Sequence, residues 1–264
     1  MNRIHQTAIV EQGAELGQDV RVGPFAYIEA GARVGDGCVI GPHATVLGCT
    51  TIGSHCQVHA GAVLGDTPQD MAFADCASYV RIGARCVIRE GVTIHRGSKP
   101  ESATVIGDDC FLMALSHFAH NVRLGAGVIV ANGTMLGGYA EVGDRAFISG
   151  NCLVHQFVRI GRLAMMGGGS GVSKDLPPFC TARPLTPNRV MGLNVVGLRR
   201  AGMTPAERED VKRAFGLLYR SGLNVTQAVA EMRKSFAGGP ALEFCAFAEQ
   251  SKRGLCGMEI GDEE

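Results

Sequence analysis

Residues 26–40 read Ala26-Tyr27-Ile28-Glu29-Ala30-Gly31-Ala32-Arg33-Val34-Gly35-Asp36-Gly37-Cys38-Val39-Ile40. Ile28, Val34 and Ile40 stand six residues apart, and Ala26, Ala32 and Cys38 precede them by two. Residues two apart on an extended strand point to the same side. Each short strand therefore puts one large aliphatic and one small residue on a common inward face. Working outward, the phase runs back through Val22, Leu16 and Val10 to Ile4, and forward through Val46, Ile52 and Val58 to Leu64. It resumes at Ile82, Ile88 and Ile94 and continues from Ile106 to Val172, broken only by Asp70, Cys76 and Pro100. A fixed short period over most of a chain is the signature of a repeat architecture.

A longer period lies on top of the first. Gly17, Gly35, Gly53, Gly107, Gly125, Gly143 and Gly161 share a register of 18, as do the pairs Gly23-Pro24 and Gly41-Pro42. Six within eighteen means three strands per coil, with these glycines expected at corners of unusual φ and ψ. The fold class is an all-β solenoid, triangular in section, its coils stacked at the ~4.8 Å inter-strand spacing. Residues n and n+18 are then stacked neighbours.

Two stretches, about 66–79 and 97–103, leave the pattern without changing its phase and are expected to be loops of whole-repeat length. After Val172 the run Lys174-Asp175-Leu176-Pro177-Pro178 ends the coiling. From about Gly192 the composition turns helical. Thr204-Pro205-Ala206-Glu207 supplies an N-cap, a proline at N1 and a glutamate at N3. Further helices are expected from Asn224 or Thr226 to about Phe236, and from Pro240 to Arg253. The expected division is a solenoid over 1–190 and a C-terminal helical domain over 191–264, covering the exposed sheet edge of the last coil.

Lysine plus arginine is 25 and aspartate plus glutamate is 25, so no electrostatic signal for nucleic acid or a membrane surface exists. No apolar run approaches the ~20 residues of a membrane span. The start, Met1-Asn2-Arg3-Ile4-His5, lacks a signal-peptide core, and a cytoplasmic protein is expected. The ten cysteines include no CxxC pair. Five of them, Cys38, Cys56, Cys86, Cys110 and Cys152, fill the small inward slot, where cysteine serves as a small hydrophobe.

Of the eight histidines, His5, His43, His55 and His59 read as surface or turn residues. His95, His117, His120 and His155 sit in the middle coils beside the loops. The 18-residue arithmetic puts residues 120, 138 and 156 in one column and 119, 137 and 155 in the next. His120 thus shares a face with His155 and Gln156, with Gly137 and Gly138 between. The same arithmetic puts His95 on a different face, able to reach that group only from a neighbouring subunit of a trimer. His117 and His120, three apart, are expected on opposite faces, which argues against a shared metal ion.

The strings Thr93-Ile94-His95-Arg96-Gly97, His117-Phe118-Ala119-His120-Asn121, His155-Gln156-Phe157 and Asn194-Val195-Val196-Gly197-Leu198-Arg199-Arg200 occur in this order. With Gln69-Asp70 and the helical tail, they resemble the UDP-N-acetylglucosamine acyltransferases, which open lipid A synthesis. The resemblance implies the left-handed parallel β-helix of hexapeptide repeats; the period alone does not fix the hand. It also implies a homotrimer with sites between subunits, an acyl carrier protein thioester as donor and a UDP-amino-sugar as acceptor, with no metal or cofactor. On this resemblance His120 matches the general base and Gly138 the residue whose N–H holds the oxyanion. Histidine suits the task because its ordinary pKa of ~6.5 lies near working pH. Asp70, His95, His117, Asn121, Tyr139, His155 and Gln156 match sugar or acyl contacts, Asn194 and Arg200 the UDP end, and Gly168 the ruler of acyl length. The chain departs from the family pattern at Asn121 (aspartate), Tyr139 (histidine), Ala72 (lysine) and Val196 (acidic). The leading reading is transfer of a 3-hydroxyacyl group to the sugar 3-hydroxyl. N-acylation of a 3-amino UDP-sugar is its rival, and a non-catalytic or metal-dependent solenoid the distant alternative.

Overall fold

The computed structural model describes residues 1–258; the last six residues of the expected helical domain lie outside the described residues. From Arg3 to Val172 the chain forms short parallel strands distributed over three sheets, which are the three faces of a triangular coil. The first face starts with Arg3–Ile4, the second with Ile9–Val10 and the third with Glu15–Leu16. Arg3 pairs with Arg21 and Ile4 with Val22, the expected step of 18. Gln57 pairs with Val87, a step of 30, so the loop at 66–79 adds twelve residues. Thr93 pairs with His117, a step of 24, so the loop at 97–103 adds six. Both loops are whole multiples of the repeat, which is why the inward phase survives them.

The inward series forms the core: Ile28, Ile40, Val46, Ile88, Ile94, Phe118, Leu136 and Ile148 are at most 1% exposed. At the N-terminal end Ile4 is half exposed, since its strand has a neighbour on one side only. The five cysteines of the small slot are buried, as their register requires. The glycines in the register of 18 have a different reason from the one expected. Their φ is not positive; a Cβ on Gly35 or Gly53 would lie 2.7 or 2.6 Å from the next coil's carbonyl carbon. They are glycine because backbones approach closely. The left-handed conformation falls two residues later, at Gly37 and Gly127 but also at Asp19, His55, Arg85, Asp109, Arg145 and Leu163. Inter-coil hydrogen bonds such as His55 N to Asp36 O (2.7 Å) and Arg145 N to Ala126 O (2.8 Å) offset the ~1–2 kcal/mol that this conformation costs an L-residue.

Beyond Val172, Cys180–Ala182 continues the first face, Arg189–Leu193 pairs antiparallel with it, and Gly257–Met258 adds a parallel strand outside. Added strands, rather than helices alone, thus extend this edge. Among the described residues, four helices follow the antiparallel strand: α1 (Val195–Arg200), α2 (Pro205–Tyr219), α3 (Val225–Ser235) and α4 (Pro240–Glu249). Helix α1 was not expected as a separate element. Thr204 and Glu207 form the capping box that the sequence announces, and Asn224 caps α3 with Gln227. Helix α4 docks on the third face through the Arg162–Glu243 ion pair (2.8 Å) and the Arg159 guanidinium over Phe247 (4.3 Å). No described helix is long and apolar enough to cross a membrane.

Candidate active site

The corner between the second and third faces repeats a two-residue turn. His120-Asn121, Gly138-Tyr139 and Gln156-Phe157 occupy successive coils. The second residue of each turn is left-handed, with φ of 61° at Asn121, 59° at Tyr139 and 64° at Phe157. Tyr139 N donates to His120 O and Phe157 N to Gly138 O, both at 3.0 Å, which fixes the column expected from sequence. A Cβ built on Gly138 would lie 2.6 Å from both Nε2 and Cε1 of His120. The imidazole thus lies over the bare face of Gly138. The Gly138 N–H makes no backbone hydrogen bond among the described residues.

His120 Nδ1 lies 3.0 Å from Asn121 Oδ1. Asn121 is buried, and the same Oδ1 receives the Ser98 N–H at 2.9 Å and the Ser98 hydroxyl at 3.0 Å. A backbone N–H can only donate, so the amide must present its carbonyl at this point. His120 Nδ1 is then the protonated nitrogen, and Nε2 carries the free lone pair beside Gly138. The aspartate of the family pattern would orient the ring in the same way and add a charge; Asn121 supplies orientation without it. Tyr139 stacks on Phe157 (5.0 Å), meets the His120 ring edge-on (5.3 Å) and places its hydroxyl 3.2 Å from Ser98 Oγ.

Two positions differ from the expectation. His95 lies on the second face with His117, their rings edge to face at 4.9 Å. The six extra residues at 97–103 align His95 with Ala119 rather than with Met113, so the 18-residue arithmetic misplaces it. His95 therefore reaches this group from the same chain. His117 and His120 are not on opposite faces of a strand, because the strand ends at Phe118 and His120 belongs to the corner. Alternation does not carry into a turn. Burial first, then the neighbouring His95, pushes His117 down to about 4. Burial also lowers His95, against the opposing pull of Asp66, and its buried Nδ1 has no hydrogen-bond partner among the described residues. Thr93 Oγ1 lies 2.7 Å from His117 Nδ1.

An apolar groove of about 420 Å³ runs along the second face past His117, Met135, Gly137, Leu153 and His155. A second cavity, of about 720 Å³, opens over the first face and is lined by Phe147, Met165, Asn194, Val196 and Arg200. The two lie on different faces, so within one chain Asn194 and Arg200 are not brought to His120. The Asn194 amide is also engaged by the fold: its oxygen accepts the Gly197 N–H (3.0 Å), and its nitrogen donates to Leu163 O (2.9 Å). Asp70 is exposed in the first loop, its carboxylate accepting the Ala72 N–H at 2.9 Å. Gln156 is exposed at the corner, and Gly168 is exposed at the corner between the first and second faces. Ser98 and Thr104, whose Oγ1 accepts the Asn121 N–H (2.8 Å), were missed from sequence. The period puts Thr104 in the small inward slot two before Ile106 without marking its bond to Asn121, and Ser98 lies in a loop, where no period places a residue.

Comparison with known proteins bears on the fold and the family. Residues 13–48, 31–66 and 103–138 match the bacterial transferase hexapeptide model of six repeats. Residues 175–256 match the second domain of UDP-N-acetylglucosamine O-acyltransferase. The acyl-[acyl-carrier-protein]–UDP-N-acetylglucosamine O-acyltransferase of Alkalilimnicola ehrlichii is 43% identical, over 97% of this chain and 99% of its own. That of Paraburkholderia phymatum is 39% identical over the same shares. Among solved structures, the UDP-N-acetylglucosamine acyltransferase of Campylobacter jejuni superposes with a TM-score of 0.91 at 36% identity, covering 97% of this chain and all of that one. The shared fold is the left-handed parallel β-helix. The chain belongs to the family of acyl-[acyl-carrier-protein]–UDP-N-acetylglucosamine O-acyltransferases.

Proposed function

We propose that this chain transfers a 3-hydroxyacyl group from an acyl carrier protein thioester to the 3-hydroxyl of UDP-N-acetylglucosamine, the first step of lipid A synthesis. The observation that carries the mechanism is the His120 ring, its Nδ1–H held by Asn121 and its Nε2 turned over Gly138. Nε2 takes the proton of the sugar hydroxyl as that oxygen attacks the thioester carbonyl. The Gly138 N–H faces the oxyanion that develops. Collapse of the tetrahedral intermediate breaks the carbon–sulfur bond, and the imidazolium returns its proton to the departing thiolate. No acyl-enzyme forms.

The acyl chain is assigned to the apolar groove of the second face, with Met135 and Leu153 along it. The nucleotide is assigned to the cavity holding Arg200, whose guanidinium fork suits a pyrophosphate. These lie on different faces, so one sugar nucleotide bridges them only where copies of the chain assemble, as a homotrimer does. The same reading divides the chain into an acyltransferase unit over 1–190 and a helical unit over 191–264, and places it in the cytoplasm. A transfer assay with carrier-protein thioesters of several lengths, against 3-hydroxy and 3-amino UDP-sugars, tests the proposal. Transfer to the 3-hydroxy sugar is expected; transfer to the 3-amino sugar alone would replace O- by N-acylation.

A further inference from the structure

We infer that Ser98 is a positioning residue of the reaction, which fixes the proton on His120 through the Asn121 amide; this rests on His120 being the base. An asparagine side chain beside a histidine does not by itself choose a tautomer, since its amide can turn either end to the ring. Ser98 removes that freedom. Its N–H donates to Asn121 Oδ1 at 2.9 Å, and its hydroxyl contacts the same oxygen at 3.0 Å. A turned amide would set NH2 against an N–H, two donors facing each other in a buried site. The Asn121 backbone is held independently, by its N–H on Thr104 Oγ1 at 2.8 Å, so only the amide rotation is left for Ser98 to decide.

Tyr139 completes the chain. Its hydroxyl lies 3.2 Å from Ser98 Oγ, and donation from tyrosine to serine leaves the serine proton for Asn121. The order is Tyr139 O–H to Ser98 Oγ–H to Asn121 Oδ1, with His120 Nδ1–H arriving from the other side. The phenol that stands in place of the family's histidine therefore acts on the base through this relay, while its ring rests on Phe157. The second loop has a purpose on this account: it delivers Ser98 to a corner that the repeat itself cannot furnish with a donor.

The test uses Ser98→Ala, Ser98→Thr and Tyr139→Phe in the full chain, with 15N-histidine labelling to read the His120 tautomer. Partners one step removed from a working histidine are worth roughly 10–100-fold. Ser98→Ala removes the hydroxyl and keeps the backbone N–H, which still favours the Asn121 carbonyl, so a roughly tenfold fall in kcat is expected, with KM for both substrates nearly constant and only a minor population of the other tautomer at His120. Ser98→Thr, which keeps the hydroxyl, restores both, and Tyr139→Phe gives a smaller loss in the same direction. A wild-type tautomer and kcat in Ser98→Ala would overturn the inference. So would a rise in KM with the tautomer unchanged, which makes Ser98 a substrate contact. The tautomer is read without turnover, so full activity in His120→Ala would remove the base assignment and leave the Ser98 result standing on its own.

Discussion

His120 and Gly138 are stacked residues of adjacent coils, set so closely that a single methyl on Gly138 would lie 2.6 Å from His120 Nε2. The backbone of Gly138 is not left-handed, so alanine carries no conformational penalty there. Gly138→Ala should therefore keep the melting temperature and turn the imidazole off its site. Loss of one aligned catalytic group costs roughly 10²-fold or more in turnover. Steady-state kinetics beside a thermal melt decide it, and wild-type turnover would show that the ring position is immaterial.

His120→Ala should lower turnover by roughly 10²–10⁴-fold, with the assembly and the melting temperature nearly unchanged. The ring is half-buried at a corner and contributes nothing to the inward core. A loss of activity accompanied by unfolding would make His120 structural.

The sequence period read the interior well and the corner unevenly. A side chain's inward position depends on alternation within one strand, which survives any loop of whole repeats; hence Ile82, Cys86 and Ile88 are buried as expected. Stacking between coils depends instead on the total chain length between them. The loop at 97–103 changes that length, and His95 was placed on the wrong face. The column of His120, Gly138 and Gln156 has no loop inside it and came out as expected. Ser98 had no signal of its own, because its function lies in where a loop returns.

The paired histidines of the second face should leave a mark on acid stability. Folded His117 titrates at about 4, lowered first by burial and then by His95. The unfolded chain binds that proton near the ordinary ~6.5. Between these values the unfolded state holds protons that the folded state refuses, so stability is full above ~6.5 and falls as pH drops towards 4. His117→Gln should flatten part of that slope. Melting temperatures of wild type and variant across pH 4–7 provide the check; parallel curves would mean that other groups set the acid limb.

Cys38, Cys56, Cys86, Cys110 and Cys152 should resist thiol reagents in the native protein, and Cys76, partly exposed in the first loop, should react first. Each of the five is at most 1% exposed. The Cys86 thiol is also pushed up to about 12 by its neighbour Cys110 and by burial. The same contact lowers Cys110, but a thiolate sealed inside the coil still meets no reagent. Mass spectrometry after a short native pulse of iodoacetamide reads the order. Labelling of any of the five ahead of Cys76 would contradict the register.

Gly168 should set the length of the acyl chain, and the structure separates it from its two neighbours. Gly167 is needed by packing, since a Cβ there would lie 2.5 Å from the Pro184 ring, and Gly169 by its φ of 68°. Gly168 has neither reason: its φ is not positive, and a Cβ would meet only Gly150 O, at 3.8 Å. Relaxation of a turn therefore accounts for two of the three glycines and leaves the middle one to function. It is exposed at the corner between the first and second faces, a position that a neighbouring copy or a bound acyl chain can reach. Gly168→Met adds a flexible side chain outside the solenoid core, so the melting temperature should hold. The donor preference should move from long 3-hydroxyacyl thioesters to shorter ones, because the new side chain stands at the corner three residues before Gly171, which lines the groove. Each methylene excluded from an apolar groove removes ~0.8 kcal/mol of binding, a change of roughly fourfold, so blocking several carbons shifts the ratio of long to short donors by well over tenfold. Transfer rates across a series of donor lengths, for wild type and Gly168→Met, measure the ratio. An unchanged length profile would place the ruler at another coil.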